Sequence, residues 1–529
     1  MVAKIYIMQR VFPIYCLIPK PGIEMKIELP FRPVSNDVKL ASGGNIVKTS
    51  FWFGILALVS LFGLAGCDGW TGDDLDSNTP NPPQLTSVDP TVNNSSVNSG
   101  SSIAATFDKE MTSASASTFV VYGNSTGKLA GLYTGGRSQT LVFNPDVAFT
   151  TSEIIEVILT GSLRATDGAY LDSPFVYRFR AEALTGTGVF TAADTIAPLS
   201  GARGLAAGDW DADGDIDLAV ANFSNSTVVI LINDPLGDFS IFDTVGSQSG
   251  ASALIALDWD GDGDLDLAVA NNGGSTVGIL RNAGNGSFSS AGAVIGQPGA
   301  RGLAAGDWDG DGDLDLAVAN FGGSEVAILE NNGTGTFIDI EATIGLAGAT
   351  ALASGDWDGD GDLDLAVANR SGNSVVVLEN DGGGGFTADS TIGAQAGATA
   401  LAAGDWDGDG DLDLAVANFT AAEVAVLQND GTGLFTDIAD VGSLTGASEL
   451  IALDWDADGD LDLAVAAFTA SSVAVLKNDP IGSFTLEVTI GGQTGASSLA
   501  AGDWDGDDAL DLAVANDTDN NVNTLENTP

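Results

Sequence analysis

The hydrophobic and polar positions of the second half of the chain repeat with a fixed period. The segment DWDGDGDLDLAVAN occupies residues 307–320. The first Asp of it and its near-copies falls at residues 209, 258, 307, 356, 405, 454 and 503. Every interval is 49 residues, and a Phe keeps the same spacing from Phe190 to Phe484. A period near 50 residues with several short strands per unit is typical of a β-propeller, so we predict seven units between residues 186 and 529.

Each unit contains four segments with the character of strands. In the third unit they are residues 299–307, 314–320, 325–331 and 335–344. The first is rich in Gly and Ala, which suits the crowded centre of a ring. The second has apolar residues on both faces, as a strand buried on both sides requires. We therefore predict that the four strands run from the centre outward in chain order.

The two ends of the repeat region complement each other. The segment NVNTLEN (521–527) has the pattern of a third strand, and no fourth strand follows it. The segment GVFTAADTI (188–196) has the pattern of a fourth strand without a unit before it. We expect this strand to complete the last unit and close the ring. An open solenoid is the alternative, but it would need atypical caps, which neither end shows.

A different pattern occupies residues 84–183. Short segments separated by turn residues, with alternating apolar residues as in EIIEVILT, predict half-buried strands. The five candidates are SSIAATF (101–107), FVVY (119–122), TLVFNP (140–145), EIIEVILT (153–160) and FVYRFRA (175–181). Several short strands in about 100 residues favour an immunoglobulin-like sandwich. The phrases SVDP (87–90), IAATFDKEMTSASASTF (103–119) and LRATDGAYLDSPFVYRF (163–179) resemble the bacterial Ig-like domain of surface proteins. That resemblance implies a spacer or a binding module, and we expect a spacer.

An uncharged apolar run, FWFGILALVSLFGLAG, occupies residues 51–66, and Lys48 precedes it. The run is shorter than the roughly 20 residues of a membrane-spanning helix and has the pattern of a secretory signal. Its end, Leu64-Ala65-Gly66-Cys67, resembles a bacterial lipobox. The resemblance implies cleavage before Cys67 and lipidation of that residue, which would anchor the protein to a bacterial membrane, in the periplasm or at the cell surface. An uncleaved membrane anchor is the alternative.

Two segments flank this signal peptide, which we place at residues 47–67. Residues 1–46 lie upstream of the point where a signal peptide should begin, and a mis-called start would explain this extension. Residues 68–83 are rich in Asp, Asn, Pro and Gly and predict a flexible linker. The two cysteines, Cys16 and Cys67, lie in unlike contexts, which excludes a disulfide framework.

The composition excludes several classes of chemistry. The chain has 72 acidic and 18 basic residues, a net charge of −54, and no histidine. Such a surface should repel nucleic acid, which proteins bind through Lys and Arg. The lack of histidine excludes Ser–His and Cys–His nucleophiles and His-ligated zinc. Outside the Asp-rich loops no Asp/Glu pair stands out, so we expect no catalytic activity. A polysaccharide lyase or hydrolase with a carboxylate pair is the alternative.

The acidic residues are concentrated in the loop between the first and second segments. In the third unit, carboxylates occupy positions 1, 3, 5, 7 and 9 from Asp307, and Gly312 occupies position 6. Oxygen ligands on a tight turn suit Ca²⁺, whereas Mg²⁺ retains its waters. We expect the side chains at positions 1, 3, 5 and 9 and the carbonyl at position 7 to bind calcium. An EF-hand is excluded because Val318 stands where a Glu is needed and strands flank the loop.

Taken in phase, the seven loops resemble the FG-GAP or VCBS repeat of integrin-α-like propellers, which carries D-x-D-x-D-G-x-x-D calcium sites. The resemblance spans nearly all of residues 186–529 and implies about six or seven Ca²⁺ ions. In the seventh loop Asp508 replaces the Gly, so we expect the weakest site there. The predicted fold class is all-β, a seven-bladed β-propeller preceded by an Ig-like β-sandwich. The residues assigned to calcium are Asp209, Asp211, Asp213, Asp215 and Asp217; Asp258, Asp260, Asp262, Asp264 and Asp266; Asp307, Asp309, Asp311, Asp313 and Asp315; Asp356, Asp358, Asp360, Asp362 and Asp364; Asp405, Asp407, Asp409, Asp411 and Asp413; Asp454, Asp456, Asp458, Asp460 and Asp462; and Asp503, Asp505, Asp507 and Asp511.

A ligand should be bound where the units differ. The turn after the second segment varies, and we expect it on the face opposite the Asp-rich loops. The candidate ligand face consists of Phe223, Phe321, Arg370, Phe419 and Phe468. Packing of these Phe side chains within their turns is the alternative. We expect a monomeric, lipid-anchored binding or adhesion module for an unknown protein or glycan. A polysaccharide-active enzyme and an envelope assembly scaffold are the other candidates.

Overall fold

The computed structural model describes residues 80–183, 185–340, 344–479 and 482–529. The extension 1–46, the signal peptide with Cys67, and most of the predicted linker lie outside the described residues. The described residues form β-strands and turns and contain no helix. Accordingly, this part of the chain has no helix of the length and hydropathy needed to cross a membrane.

Eight strands precede the repeats and form two four-stranded antiparallel sheets, ordered β1-β2-β6-β5 and β4-β3-β7-β8. Their bounds are β1 (Leu85–Asp89), β2 (Ile103–Met111), β3 (Phe119–Gly123), β4 (Gly127–Lys128), β5 (Gly131–Thr134), β6 (Ser138–Pro145), β7 (Ile154–Leu159) and β8 (Phe175–Arg180). The two sheets share an apolar core that includes Phe107, Phe143 and Tyr177. The pattern of the sequence predicted five of these strands. It missed β1, β4 and β5 because they are short and largely exposed or at an edge.

Seven further antiparallel sheets, numbered 1 to 7 in chain order, contain the described part of the repeats. Sheet 1 contains β10 (Ala202–Gly208), β11 (Asp217–Asn222), β12 (Thr227–Ile232) and β13 (Ser240–Val245); sheet 2 contains β14 (Ala251–Leu257), β15 (Asp266–Asn271), β16 (Thr276–Asn282) and β17 (Phe288–Ile295). Sheet 3 contains β18 (Ala300–Gly306), β19 (Asp315–Asn320), β20 (Glu325–Asn331), β21 (Phe337–Asp339) and β22 (Ile344–Gly345); sheet 4 contains β23 (Ala349–Gly355), β24 (Asp364–Asn369), β25 (Ser374–Asn380) and β26 (Phe386–Ile392). Sheet 5 contains β27 (Ala398–Gly404), β28 (Asp413–Asn418), β29 (Glu423–Asn429) and β30 (Phe435–Gly442); sheet 6 contains β31 (Ala447–Leu453), β32 (Asp462–Ala467), β33 (Ser472–Lys477) and β34 (Thr485–Gly491). Sheet 7 contains β35 (Ala496–Gly502), β36 (Asp511–Asn516), β37 (Asn521–Asn527) and β9 (Phe190–Ile196).

The outer strand of sheet 7 comes from the other end of the repeat region. Strand β9 pairs antiparallel with β37, from Val522 opposite Ile196 to Asn527 opposite Phe190. The first and last segments of the repeats are therefore hydrogen-bonded to each other in one sheet.

The first strands of the seven sheets contact one another in a closed cycle. Each contacts the first strand of the next sheet, and β35 contacts β10. The approach is close: a Cβ on Gly302 would lie 2.8 Å from the Cα of Ala351 in the next sheet. Gly302 and its equivalent Gly204 are therefore positions where a side chain would meet the backbone of the next strand. The second strands are packed between neighbouring sheets, and all six residues of β19, for example, are buried.

Aromatic pairs connect neighbouring sheets on the loop side. The Trp at position 2 of each Asp-rich loop is buried and packs edge-to-face against the Phe that begins or directly precedes the outer strand of the next sheet, with centroids 5.2–5.7 Å apart. The pair of Trp455 with Phe190 involves β9, and the pair of Trp504 with Phe239 joins sheet 7 to sheet 1. Each such pair contributes about 0.5–1.5 kcal/mol beyond its buried area.

Candidate metal centres and the opposite face

The Asp at position 1 organises each loop through its own backbone. In sheet 3, Oδ1 of Asp307 accepts a hydrogen bond from the N–H of Asp311 (3.1 Å), and Oδ2 accepts one from the N–H of Gly312 (2.9 Å). The bond from the N–H at position 6 to the carboxylate at position 1 recurs in all seven loops at 2.9–3.1 Å. The chain therefore curls around the first carboxylate in every unit.

The curl requires left-handed backbone at two positions. The six glycines at position 6 have φ of 98–100°, and Asp508 at the same position of the seventh loop has φ of 69°. Position 4 is left-handed as well, including Ala212 (62°) and Ala457 (56°). The sequence pattern indicated left-handed backbone at position 6 alone. Because side chains disfavour this region, Ala212, Ala457 and Asp508 each carry strain of about 1 kcal/mol or more.

The Asp at position 9 ties the loop to the rest of its sheet. Oδ2 of Asp315 accepts from the N–H of Trp308 (3.1 Å), and Oδ1 accepts from the N–H of Asn331 (2.8 Å). Burial raises the pKa of Asp315 to about 8. In the other six loops burial likewise raises the pKa at position 9 to about 7 or 8, for Asp217, Asp266, Asp364, Asp413, Asp462 and Asp511.

The Asn that donates to position 9 also connects neighbouring sheets, and it was not among the residues predicted from the sequence. Nδ2 of Asn331 donates to the carbonyl of Trp259 in the preceding sheet (2.9 Å). The same bond recurs for Asn233, Asn282, Asn380, Asn429, Asn478 and Asn527. These Asn residues keep the 49-residue period. That period was the signal that could have revealed them.

The structure brings the carboxylates of positions 1, 3 and either 5 or 9 together. In each group the oxygen atoms lie within 4.8 Å of one another. The groups are Asp209, Asp211 and Asp217; Asp258, Asp260 and Asp262; Asp307, Asp309 and Asp311; Asp356, Asp358 and Asp360; and Asp405, Asp407 and Asp413, with two more in the described residues. A Cβ on Gly333 would lie 2.4 Å from Oδ2 of Asp313. The position 7 side chain thus lies against the hairpin between the third and fourth strands.

The donors fit a hard cation. Oδ1 of Asp211 and Oδ1 of Asp456, both at position 3, are buried and have no hydrogen-bond partner in the part of the chain that the structure describes. Burial raises the pKa of Asp356 and of Asp454 to about 6 and that of Asp307 well above its usual range. Without a cation the ionised carboxylates are destabilised, so these Asp-rich groups can hold a metal ion.

Two loops also receive positive charge from the chain itself. The guanidinium of Arg281 contacts Asp260, and Nζ of Lys477 contacts Asp456 and lies 3.1 Å from Oδ2 of Asp458. The second and sixth loops are therefore partly neutralised before any ion binds.

The eight-stranded domain packs on these loops. The N–H of Val176 donates to the carbonyl of Gly361 (2.9 Å), and the hydroxyl of Tyr122 donates to that of Gly312 (3.3 Å). Arg178 reaches the first strands, with Nη1 2.7 Å from Oγ of Ser354. Cavities of about 450 and 410 Å³ lie between this domain and the first strands.

The predicted ligand face lies at the other end of the sheets. Phe223, Phe321, Arg370, Phe419 and Phe468 each begin the turn between a second and a third strand, and all are half-buried. The guanidinium of Arg370 lies over the ring of Phe419, 5.0 Å from its centroid. The sequence thus located these residues on one face.

The structure adds two arginines to this face. The guanidinium of Arg203 lies 3.6 Å from the centroid of Phe223, and that of Arg301 lies 4.2 Å from the centroid of Phe321. Nε of Arg203 also donates to Oδ2 of Asp517 at 3.0 Å. Their signal in the sequence was a basic residue at a first-strand position where the other five units have Ser or Thr.

Comparisons with known proteins agree with the repeat pattern. The model of the FG-GAP-like repeat matches residues 209–269, 258–318, 307–367, 356–416, 405–465 and 454–514, and that of the bacterial Ig-like domain matches residues 79–181. A search of curated proteins found no significant match.

Several solved structures are similar to this chain at low identity. A streptogramin B lyase is 15% identical, with 64% of this chain and 97% of that chain covered and a TM-score of 0.45. A putative 6-phosphogluconolactonase from Bacteroides uniformis is 12% identical, with 70% and 96% covered and a TM-score of 0.46. A lectin from Agrocybe aegerita that recognises non-reducing terminal N-acetylglucosamine is 20% identical, with 75% and 94% covered and a TM-score of 0.38. These likenesses are too distant to transfer a function.

The extent of the matches to the FG-GAP-like repeat model shows the family of this chain. These matches run from residue 209 to residue 514, more than half of the chain. The protein therefore belongs to the FG-GAP-like repeat family and carries a bacterial Ig-like domain before its repeats.

Proposed function

We propose that this protein is a calcium-stabilised, lipid-anchored binding module of the bacterial cell envelope, without catalytic activity of its own. The observation that carries this proposal is that one end of the repeat sheets has a repeated sequence and the other end has a variable one. One end repeats the same Asp-rich loop in every unit, whereas the turns at the other end vary in sequence and begin with Phe, Asn, Arg or Asp. A repeated end suits a structural role, and a variable end suits recognition.

The proposed scaffold is a seven-bladed β-propeller at residues 186–529, with an Ig-like sandwich at residues 84–183 before it. The cyclic contacts of the first strands, the β9–β37 pairing and the Trp–Phe pairs between neighbouring sheets support a closed ring. The contacts of Val176 and Tyr122 with the loops support a sandwich that covers one end of the channel.

Calcium is the proposed ion because the groups offer dense carboxylate oxygens, which suit Ca²⁺ better than Mg²⁺. The side chains at positions 1, 3, 5 and 9 and the carbonyl at position 7 would hold it, in six or seven loops. Its role would be to neutralise the buried carboxylates and fix each loop. We expect the weakest binding in the seventh loop, since Asp508 must adopt left-handed backbone there.

Two glutamates of the Ig-like domain that line the cavities support a non-enzymatic role. Oε1 of Glu153 accepts hydrogen bonds from Ser125 and Thr126, and Glu156 pairs with Arg178. Both Glu residues line the cavities but are engaged in holding the Ig-like domain together and on the repeats. Neither is arranged as a free general acid or base.

A binding screen tests the proposed function. We expect the purified protein to retain a glycan or a protein partner on arrays and in pull-downs with Ca²⁺, and to lose it in EDTA because the loops no longer hold the ring. Phe321→Ala should weaken retention, while Leu132→Ala, which changes an exposed apolar residue of the Ig-like domain, should not. Capture of no partner would favour an assembly scaffold, and turnover of a polysaccharide would favour an enzyme.

Substitution of each of the two cysteines of the chain tests the lipid anchor. We expect cells that express the full chain to incorporate labelled palmitate and to retain the protein in the membrane fraction. Cys67→Ser should abolish both, because lipid is attached to the sulfur and new N-terminus of the lipobox cysteine. The matched control is Cys16→Ser, which should keep the label. Label retained by Cys67→Ser would contradict the anchor.

A further inference from the structure

The basic residues of the repeats are few, and they divide between the two ends. Residues 186–529 contain five of them: Arg203, Arg281, Arg301, Arg370 and Lys477. Arg281 and Lys477 contact carboxylates of the Asp-rich loops. The other three lie at the opposite end of the sheets, where they are concentrated on one face of an otherwise acidic region.

The backbone places these three arginines around the mouth of the ring. Arg203 and Arg301 are the second residues of β10 and β18, strands that line the channel. Arg370 directly follows β24, and its N–H donates to the carbonyl of Gly348 at 2.9 Å, beside the start of the neighbouring first strand. Each guanidinium rests on a Phe ring at 3.6–5.0 Å from the centroid. Such cation–π contacts hold the charged groups in place.

The three cations affect one another. Burial, together with repulsion from the guanidiniums of Arg370 and Arg203, lowers the pKa of Arg301. Arg203 has a carboxylate partner in Asp517. Among the described residues, no carboxylate oxygen lies within ion-pair distance of Arg301 or Arg370. A protein with a net charge of −54 therefore leaves two neighbouring guanidiniums without an acidic partner, an arrangement that an anionic ligand would stabilise.

We propose that Arg301 and Arg370, assisted by Arg203, bind the carboxylate of a small organic acid, for which D-glucuronate serves as the probe. The inference rests on the proposed function and names the class of ligand bound by its variable face. Guanidinium forks match the planar carboxylate and bind it in bidentate fashion. The exposed parts of the Phe rings offer apolar contact to the carbon skeleton. A long polyanion is excluded, since the net negative charge of the chain would repel it.

The test is isothermal titration of the full chain, saturated with Ca²⁺, with D-glucuronate, D-glucose and sulfate. We expect glucuronate to bind and glucose to give no signal. Arg301→Gln and Arg370→Gln should each weaken glucuronate binding about tenfold or more, because a charge-assisted bond is lost. Arg301→Lys should retain part of the affinity. The matched control is Arg164→Gln, which removes a guanidinium 5.3 Å from the ring of Tyr170 in the Ig-like domain and should leave binding unchanged.

Several outcomes would overturn the inference. One is that the wild type fails to bind glucuronate, and another is that it binds sulfate as tightly as glucuronate. A third is that the Arg164→Gln control loses as much affinity for glucuronate as Arg301→Gln does. Each of these results contradicts the inference. The melting temperature with Ca²⁺ shows whether each variant is folded. If Arg301→Gln is not folded, the affinity of Arg370→Gln for glucuronate tests the inference instead. If glucuronate fails but the screen yields a neutral partner that Phe321→Ala weakens, the proposed function stands and only this inference fails. If neither glucuronate nor any screened partner binds, both fail.

Discussion

Chelation of calcium at pH 8 should lower the melting temperature of this protein by about 10 °C or more. An ion bound only by the folded state stabilises it by about 2.7 kcal/mol per site at 100 times its dissociation constant, and six or seven sites add up. Circular dichroism melts with Ca²⁺ and with EGTA measure the difference. Restored Ca²⁺ should recover the melt, whereas Mg²⁺ at the same concentration should not. An unchanged melt would remove the case for calcium.

The change in melting temperature caused by calcium should depend on pH, and the buried carboxylates determine whether it grows or shrinks as the pH rises. Burial raises the pKa of Asp315 and Asp364 to about 8 and that of Asp217 to about 7 in the metal-free protein. A carboxyl group whose folded pKa is raised favours the folded state below its unfolded pKa, near 4, and loses that contribution as the pH rises through its folded pKa. Metal-free protein should therefore be more stable at pH 5.5 than at pH 8.5, and the calcium-induced shift should be larger at pH 8.5. Equal shifts at both values would contradict buried ligands.

The second large effect should come from the strand that joins the two ends of the repeats. Removal of residues 186–197 should destabilise the repeats far more than removal of the Ig-like domain. Strand β9 is the outer strand of sheet 7. Its loss removes the pairing with β37 and the contact of Phe190 with Trp455. The Ig-like domain, by contrast, packs on the loops and on the ends of the first strands, and its removal leaves all seven sheets complete.

Three chains separate these contributions: residues 84–529, residues 186–529 and residues 198–529. We expect a modest fall in melting temperature between the first two and a fall of about 10 °C or more, or aggregation, between the last two. A synthetic peptide of residues 186–197, added to the shortest chain, should restore part of the loss by occupying the vacant edge. Equal falls, or no effect of the peptide, would argue against a closing strand.

The local structure of the repeats could be predicted because the same sequence pattern occurs in every unit. Seven in-phase copies separate the required positions from the variable ones, so the Asp-rich turn, the buried second strand and the small first-strand residues could all be located. The same period carried the Asn that bonds to the preceding Trp, but a lone Asn at a strand end has many uses. Its role became visible only when the neighbouring sheet was in place.

The left-handed positions of the Asp-rich loops were likewise predicted only in part. Gly at position 6 indicated left-handed backbone, and Asp508 adopts it as well. Position 4 was not recognised, since Ala212 and Ala457 occupy it in two loops. Because the other loop contacts outweigh a cost of about 1 kcal/mol per residue, the fold overrides the local preference of alanine at these positions.

By itself, the sequence determined the period, the strands within each unit, the acidic turns and the family, because these depend on residues close together in the chain and repeated seven times. Tertiary structure alone decided two things. One is the packing of the Ig-like domain on the loops, which depends on complementary surfaces that share no pattern, such as Tyr122 against the carbonyl of Gly312. The other is the placement of Arg203, Arg301 and Arg370 at one end of the sheets, because these residues lie in different units and share that end only through the cyclic contacts of the first strands.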